Sequence, residues 1–195
     1  MSTVADITVS VDGFVTGPDP GPELGLGVGG EALHHWAIDS DDPVDAAILR
    51  ESTAATGAVV MGRRLFDIVD GPQGWDDTRG YGAGEVGRPP LVVVTHRPPT
   101  EVRLTHDLTF VTTGVADAVA AARDLAGDLE TVVMGGADVV RQCVDAGLVD
   151  VLHLHIAPLL LGAGTPLFVG AARRELRDPS VRASEHAKHI TWRVG

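Results

Sequence analysis

The chain has little cysteine and little positive charge. Cys143 is its single cysteine, which excludes an intrachain disulfide bond. Lys and Arg together number 15 against 27 Asp and Glu, so the formal net charge at pH 7 is −12. No basic surface is then available to neutralise a phosphate backbone, and we expect no nucleic-acid partner. An anionic ligand would have to be held locally, by backbone N–H groups and a few arginines.

Long hydrophobic runs are also missing. No apolar stretch approaches the roughly 18 residues of a membrane-spanning helix. The N-terminus lacks the basic region and apolar stretch of a signal peptide. We therefore expect no membrane partner and a cytoplasmic location. With 44% hydrophobic and 22% charged residues, the composition is typical of a globular protein, and 195 residues suit one domain with a substantial core.

The most informative segment is 131–140, which reads TVVMGGADVV. Its first four residues have no helical period and predict a short buried strand. Gly135 and Gly136 follow directly, and then a helix with Val140 and Cys143 on its apolar face. A strand that passes through a glycine pair into a helix points backbone N–H groups into open space, where the helix dipole favours an anion. The segment predicts either a phosphate-binding turn or a tight turn without a ligand.

Strand and helix signals alternate along the rest of the chain. Asp42 can cap a helix that has Pro43 in its first turn, and Gly57 suits its end. The remaining helices are predicted at 31–38, 63–69 and 115–126. Strands are predicted at 5–11 with a continuation at 14–15, and at 58–61, 91–95, 108–112, 149–157, 167–169, 181–185 and 190–194. This order favours an α/β domain with a mainly parallel sheet.

Ligands in such a sheet bind beyond the carboxyl ends of the strands. Those predicted ends carry glycines, hydroxyl groups and two arginines, which together suit a phosphorylated cofactor. For the arginines, ordinary solvation of a helix start is the alternative, although cations there oppose the helix dipole. The residues are Gly62, Arg63, Arg64, Thr95, His96, Thr113, Gly114, Gly135 and Gly136.

A second glycine-rich segment lies in the loop 17–30. Residues 25–30 match the pattern G-x-G-x-x-G of dinucleotide-binding folds. That pattern requires a strand directly before it, whereas Pro18, Pro20 and Pro22 precede it here. We therefore interpret the segment as an active-site loop and not as a nucleotide fingerprint.

Six pieces of the chain together resemble the dihydrofolate reductase-like superfamily. Within it, the chain is most similar to the reductase domain at the C-terminus of bifunctional riboflavin-biosynthesis deaminase–reductases, and to small stand-alone bacterial members. The pieces occur in family order and cover nearly the whole chain. They are SVDGFV at 10–15, VMGRRLF at 60–66, VVT at 93–95, MGGA at 134–137, GLVD at 147–150 and APLLLGAG at 157–164.

The resemblance implies a three-layer α/β/α fold with a mainly parallel central sheet and a C-terminal antiparallel hairpin, over residues 1–195 as one domain. It also implies NADPH as the hydride donor. By position, Gly62, Arg63 and Arg64 would contact the cofactor phosphates, and Thr95 and His96 would lie near the adenosine ribose phosphate. Gly135, Gly136 and Ala137 would surround the pyrophosphate. Val15 and Thr16 would approach the nicotinamide. Phe14 and Trp36 would line the substrate pocket, or serve as ordinary packing.

The proton donor is less well marked. Riboflavin-pathway reductases typically carry a glutamate directly before the glycine pair, where this chain has Met134. Folate reductases carry an acid on the helix before the Met-Gly-Arg strand, a place that Asp45 only roughly matches. An acid in a first helical turn also stabilises the helix dipole. The candidates for catalysis are therefore Asp45 and Asp12, with water as the alternative.

Two groups of histidines need an interpretation. His153 and His155 share one face of a predicted strand, but no Cys or carboxylate cluster accompanies them at metal-ligand spacing. We expect no metal and interpret the two residues as a half-buried polar face, with the contact between two subunits of a homodimer as one role for it. The run 185–189 predicts a solvated hairpin.

Three functions follow from these residues. The first is an NADPH-dependent reductase that transfers hydride to a C=N or C=O group of a small pterin- or pyrimidine-like substrate. The second is a 5-amino-6-(5-phosphoribosylamino)uracil reductase of riboflavin biosynthesis. The third is a non-catalytic, nucleotide-binding homodimer that kept the cofactor cleft and lost the acid.

Overall fold

The computed structural model describes residues 2–72, 74–76, 80–81 and 88–195. From the sequence we predict a glycine-rich loop at 70–90, and part of it lies outside these residues. The helices are a 3-10 helix at Gly30–His34, α1 His35–Ile38, α2 Pro43–Ala55, α3 Arg63–Val69, α4 Val115–Ala126 and α5 Ala137–Asp145. The strands are β1 Thr3–Ser10, β2 Phe14–Thr16, β3 Thr56–Gly62, β4 Leu91–Val94, β5 Leu108–Val111, β6 Glu130–Gly135, β7 Val151–Ala157, β8 Thr165–Pro166, β9 Leu176–Ala183 and β10 Lys188–Val194.

One large sheet organises the chain, with strand order β5-β4-β3-β6-β1-β7-β10-β9. The first six strands in this order run parallel. β10 runs antiparallel to both β7 and β9. This confirms the predicted parallel sheet with a C-terminal antiparallel hairpin. Strand β2 does not continue in the same sheet as β1, because it pairs with β8 in a separate two-stranded ribbon.

Helices cover the sheet on both faces, which confirms the three layers. On one face α4 and α5 pack through small and β-branched side chains, among them Ala118 and Val140, against Ala5 and Val133. Cys143 of α5 lies in the same cluster, and burial raises the pKa of its thiol to about 11. It is therefore an inert core residue.

The opposite face is covered in two parts. Phe66 of α3 packs on the β3 and β4 side of the sheet, against Met61 and Val93. The short helix α1 and helix α2 form a smaller cluster of Trp36, Ile48 and Ala187. Between these two clusters, the sheet face is polar, and the candidate site described below includes that region.

The predicted boundaries agree with the structure at some elements and differ from it at others. Asp42 caps α2 as predicted, with its Oδ1 accepting a hydrogen bond from the Val44 N–H at 2.8 Å. Helix α2 ends at Ala55 with Thr56 as its C-cap, next to Gly57 as predicted, but Gly57 itself lies inside β3. A Cβ there would come within 2.5 Å of the Ala126 carbonyl oxygen, so close packing on the end of α4 requires the glycine. No strand forms at 167–169, since the pairing at this point is made by β8 instead.

The run 185–189 forms the turn of the predicted hairpin between β9 and β10, but it is only partly solvated. Ala187 is fully buried and His189 is 5% exposed, and the Ser184 hydroxyl accepts the backbone N–H groups of His186 and Ala187. The tight turn at the start of β10 directs Ala187 and His189 into the interior of the protein. The outer strand β9, in contrast, is exposed along almost its whole length.

No helix formed by the described residues is long and apolar enough to cross a bilayer.

Candidate functional site

The carboxyl ends of β3 and β6 lie side by side and are lined by glycine backbone. A Cβ added to Gly62 would lie 3.7 Å from the Gly136 nitrogen and 2.8 Å from Cγ2 of Val139. Gly135 has a φ of +142°, which favours glycine. Gly136 has a φ of −71°, and a Cβ added there would meet no atom within 4 Å. The glycine pair therefore borders an open recess, which we call the glycine edge: Gly62, Gly135 and Gly136.

Helix α5 starts at this recess. Gly136 is its N-cap and supplies no side-chain cap. The first-turn acid, Asp138, is turned along the helix to Arg141 and Gln142. Ala137 is 5% exposed and packs in the core. An uncapped helix start beside an open, side-chain-free recess suits a phosphate or pyrophosphate group, so the residues present fit the cofactor that the sequence predicts.

The two arginines after β3 differ. Arg63 donates from Nε to Asp67 at 2.6 Å and from Nη1 to the Arg97 carbonyl at 2.7 Å. Arg64 is exposed and has no hydrogen-bond or ion-pair partner among the described residues. Arg63 therefore ties α3 to the turn after β4, whereas Arg64 has its guanidinium available to a ligand.

In the turn after β4, one residue is likewise held by contacts within the protein and the next is exposed. Thr95 is 7% exposed, and its hydroxyl donates to the Arg97 carbonyl and accepts the Arg97 N–H. His96 is exposed. Thr95 shapes the turn, and His96 presents its ring at the surface.

The β2–β8 ribbon brings the predicted nicotinamide residues against β1. Val15 is 7% exposed and lies in the core. The Thr16 hydroxyl bonds that of Thr165 at 2.8 Å. Phe14 is half-buried opposite Pro166. The ribbon contacts β1, and β1 pairs with β6, the strand whose end carries the glycine pair.

Asp12 is engaged in holding two loops together. Its carboxylate accepts the Ser10 hydroxyl at 2.6 Å and the backbone N–H groups of Leu161 and Gly162. The hydrogen bond from Ser10 lowers the pKa of Asp12 despite some desolvation. Because both carboxylate oxygens accept hydrogen bonds that join the two loops, Asp12 has a structural role.

Asp45 does not reach a surface. Its side chain is 0% exposed, and it accepts hydrogen bonds from the Ser40 hydroxyl at 2.6 Å and from His189 Nε2 at 2.7 Å. Burial raises the pKa of Asp45, but hydrogen bonds from Ser40, Ser184 and His189 outweigh it and the net shift is downward. A substrate therefore has no direct access to this carboxyl.

Asp45 and His189 belong to a longer series of hydrogen-bonded side chains that we did not predict from the sequence. His189 Nδ1 lies 2.7 Å from His155 Nδ1, and His155 Nε2 lies 2.9 Å from Asp6 Oδ1. We call Asp6, His155, His189 and Asp45 the buried acid–imidazole chain. It crosses from β1 over β7 and β10 to α2.

Trp36 covers this chain and is only 6% exposed. Its ring centroid lies 4.3 Å from that of His155 and 5.0 Å from that of His189. Its indole N–H donates to the Thr8 hydroxyl at 3.0 Å. Trp36 thus fixes the two imidazoles in place and has little surface left for a ligand.

The pKa values of several titratable groups in this region are shifted. Burial opposes the ionisation of Asp6, but the charge and hydrogen bonds of His155 and His153 hold its pKa well below the usual range. Burial lowers the pKa of His189 and lowers that of His34 to about 4. His153 is also desolvated, but Asp6 raises its pKa. The His34 Nδ1 atom is sealed and has no partner.

Asp6 lies close to the glycine edge. Ala5 and Val133 are the last residues that pair between β1 and β6. Asp6 and Met134 follow them directly on the two neighbouring strands, and alternation directs both side chains to the face opposite Ala5 and Val133. Met134 packs with the α3 cluster on that face. A carboxylate therefore lies beside the position directly before the glycine pair, although it comes from another strand.

A signal for Asp6 existed in the sequence. Asp6, Thr8 and Ser10 alternate with Ile7 and Val9 in a strand that is covered on both faces. Polar residues at every second position of an interior strand indicate a polar interior face. Their partners on β7, β10 and α2 could not be read from spacing. Among the described residues, no three His, Cys, Asp or Glu side chains are arranged to hold a metal ion.

Comparisons with known proteins identify the family of this chain and solved structures that it resembles. The model of the RibD C-terminal domain family matches residues 2–189. No curated protein matches the chain. Among solved structures, a putative riboflavin biosynthesis protein from Shewanella sp. PV-4 is similar with a TM-score of 0.67 and 22% identity, over 100% of this chain and 99% of that one.

Two other solved structures share the fold at lower identity. A diaminohydroxyphosphoribosylaminopyrimidine deaminase/5-amino-6-(5-phosphoribosylamino)uracil reductase from Thermotoga maritima has a TM-score of 0.60 and 16% identity, over 100% of this chain and 57% of that one. Dihydrofolate reductase from Enterococcus faecalis, complexed with NADP(H) and RAB-propyl, has a TM-score of 0.58 and 16% identity, over 98% of this chain and 96% of that one.

Proposed function

This chain belongs to the RibD C-terminal domain family, and on that premise we propose that it is an NADPH-dependent reductase of a small pterin- or pyrimidine-like substrate. Bound at the glycine edge, NADPH would supply a hydride to a C=N or C=O carbon, chemistry that belongs to the cofactor. The chain's own contribution is to bind, to orient and to provide a proton.

The observation that carries this proposal is the open space at Gly136. A Cβ would meet nothing there within 4 Å, beside an uncapped helix start and an exposed Arg64. In a chain of net charge −12, an anionic cofactor needs such local N–H groups and cations. Arg64 and His96 are the side chains that we assign to a ribose 2′-phosphate, with Arg63 and Thr95 holding the turns that present them.

The substrate side supports a reductase without naming its substrate. Met134 stands where riboflavin-pathway reductases typically have a glutamate, and Asp45 is sealed from any ligand. We therefore expect slow turnover both of dihydrofolate and of 5-amino-6-(5-phosphoribosylamino)uracil. Efficient turnover of the second compound, at about 10⁴ M⁻¹s⁻¹ or more, would instead assign the chain to riboflavin biosynthesis.

Calorimetric titration with NADPH and NADH, at one salt concentration, tests the proposal. We expect NADPH to bind more tightly than NADH, and a thermal-shift screen to show stabilisation by NADPH, since a ligand at 100 times its Kd adds about 2.7 kcal/mol. Binding without oxidation of NADPH by either substrate would favour a nucleotide-binding protein that does not catalyse a reaction. Absence of binding would contradict the proposal.

We also propose a homodimer, but not through β7. That strand is paired on both edges, by β1 and β10, so it has no edge to offer a second copy. Exposed apolar side chains instead surround a depression of about 360 Å³ beside the ends of β1 and β7: Val11, Phe168 and Val169. Light scattering at micromolar concentration tests this, and a monomeric mass would contradict it.

A further inference from the structure

The buried acid–imidazole chain contains three junctions between four titratable groups. Asp6 meets His155 at 2.9 Å, His155 meets His189 at 2.7 Å, and His189 meets Asp45 at 2.7 Å. The side chains of His155, His189 and Asp45 are 4%, 5% and 0% exposed, so water does not serve these contacts. Each junction has to be filled by a hydrogen that belongs to one of the two groups.

The number of hydrogens decides the protonation state. Two ionised carboxylates and two neutral imidazoles carry two ring hydrogens in all, one on each of His155 and His189. Three junctions need three hydrogens, which is one more. Without it, two nitrogen lone pairs would face each other, or an imidazole lone pair would face a carboxylate, in a buried site where an unmade hydrogen bond is costly. The chain therefore holds one extra proton.

The arrangement favours His155 as its position, because this ring lies between the Asp6 carboxylate and the second imidazole. Both carboxyl pKa values are lowered, and burial lowers the pKa of His189. His155 then donates from Nε2 to Asp6 and from Nδ1 to His189, and His189 donates from Nε2 to Asp45. The face of Trp36, 4.3 Å from the His155 ring, favours a cationic ring beneath it.

We propose that this extra proton is the one consumed by the reduction, with Asp6 as its outlet and Asp45 as a positioning residue at the closed end. This rests on the function proposed above. Asp6 is the most exposed member of the chain, at 12%, and directly follows the last β1 residue that pairs with β6. His153, 28% exposed and 3.7 Å from Asp6, lies at the same opening.

The transfer balances as follows. Bound NADPH would supply the hydride to the substrate carbon and would itself be oxidised. The Nε2 hydrogen of His155 moves to the ionised Asp6 carboxylate, which passes it to the substrate nitrogen or oxygen and is then a carboxylate again. The two hydrogens that remain still fill the junctions between His155, His189 and Asp45. The vacancy is thus left between Asp6 and His155, at the open end, where a proton from solvent refills it.

Asp45→Asn tests this without a large change of shape. The new amide donates to His189 Nε2, His189 donates from Nδ1 to His155, and His155 donates from Nε2 to Asp6. All three junctions are then filled by two neutral imidazoles and an amide, so the extra proton is no longer needed. The matched control is Asp150→Asn, which makes the same change in a carboxylate that accepts the Thr3 N–H outside the chain.

The first measurement needs no cofactor. Above about pH 7.5 the unfolded wild type holds two protons on these four groups and the folded protein three, so its folding equilibrium constant should fall about tenfold per pH unit. Urea denaturation between about pH 7.5 and 8.5 should show this additional slope in wild type and in Asp150→Asn, but not in Asp45→Asn. The other nearby titratable or charged groups are common to all three proteins and cancel in the comparison: His34, Tyr81, Glu130, His153 and Arg182. Equal slopes would overturn the inference.

The second measurement is the rate of NADPH oxidation with dihydrofolate and with 5-amino-6-(5-phosphoribosylamino)uracil. We expect kcat of Asp45→Asn to fall roughly a hundredfold, the lower end of general acid catalysis, with an unchanged Kd for NADPH. A changed slope with an unchanged kcat would show a stored proton that the reaction does not use, and would overturn the role in catalysis. If wild type fails to bind NADPH, the proposed function falls with that role, while the slope still decides whether the chain holds the proton.

Discussion

The glycine edge and the buried acid–imidazole chain lie on adjacent strands and are built in opposite ways. The glycine edge consists of backbone, with open space where side chains would be. The buried acid–imidazole chain consists of side chains from β1, β7, β10 and α2, closed over by Trp36. We therefore expect substitutions at the glycine edge to reduce ligand binding with little effect on folding. Substitutions in the chain should reduce stability first.

The largest effect is expected for His189→Leu. The substitution leaves the buried Asp45 carboxylate and the His155 ring without their partner, and a buried charge left unpaired costs about 3–5 kcal/mol. Urea denaturation at pH 7 measures the free energy of unfolding. His186→Leu, in the same turn but outside the chain, serves as the control. A loss below about 1 kcal/mol for His189→Leu would mean that the chain contributes little to folding.

Acid sensitivity is expected beside the buried acid–imidazole chain and not at the glycine edge, because the buried His34 interacts electrostatically with His155 and Asp6. The folded pKa of His34, about 4, lies below the unfolded value near 6.5, so the unfolded state binds more protons between these values. Stability is present above about pH 6.5 and is lost as the pH falls towards 4, by ~3 kcal/mol. His34→Leu should remove this loss in urea titrations from pH 7 to 4. His153, whose raised pKa acts in the opposite direction, is common to both proteins.

Gly136→Val is expected to separate binding from folding. The φ of −71° accepts valine and a Cβ meets nothing within 4 Å, so stability should change by less than about 1 kcal/mol. The side chain would fill the recess and weaken NADPH binding by about 1.5–3 kcal/mol, the value of hydrogen bonds to a charged group.

Gly57→Ala should do the reverse. Its Cβ would come within 2.5 Å of the Ala126 carbonyl, which costs about 1–3 kcal/mol of stability, while the Kd for NADPH stays the same. Calorimetry and urea denaturation on both glycine variants give the comparison. Equal NADPH affinity in Gly136→Val and wild type would move the cofactor site away from the glycine edge.

The smallest effect is expected at Arg64. Arg64→Gln should reduce the preference for NADPH over NADH about tenfold, or about 1.4 kcal/mol, because its guanidinium has no partner among the described residues. Arg63→Gln should change the preference less, since Arg63 is held by Asp67 and the Arg97 carbonyl. The reverse order in calorimetry would exchange the assignments of the two arginines.

The same contrast explains what the sequence could predict. Local signals specified the elements: Asp42 and Pro43 started α2, and residues 63–69 and 115–126 formed helices with the predicted bounds. Gly135 and Gly136 marked the glycine edge because a turn from strand to helix involves neighbouring residues only. The reason for a glycine at position 57 could not be read from the sequence, because the glycine is required by its close approach to Ala126 at the end of α4.

The buried acid–imidazole chain could not be predicted, because its contacts join residues that are far apart in the sequence. His155 and His189 touch although 34 positions separate them, and Asp45 reaches His189 across 144. Such contacts depend on strand order, which brings β10 next to β7. Asp45 was expected near a substrate, and its sealed position follows from the tight turn that turns His189 inward.

The exposed outer strand β9 has a consequence for how the protein behaves in a crowded solution. An edge strand presents unpaired N–H and C=O groups that can recruit another chain and begin aggregation. In β9, Pro179 lacks an N–H, Asp178 has a φ of +52° that breaks the regular strand geometry, and Arg177 and Arg182 place charge on either side. These four residues act as gatekeepers, so the sheet ends at this strand and resists growth by addition of further strands.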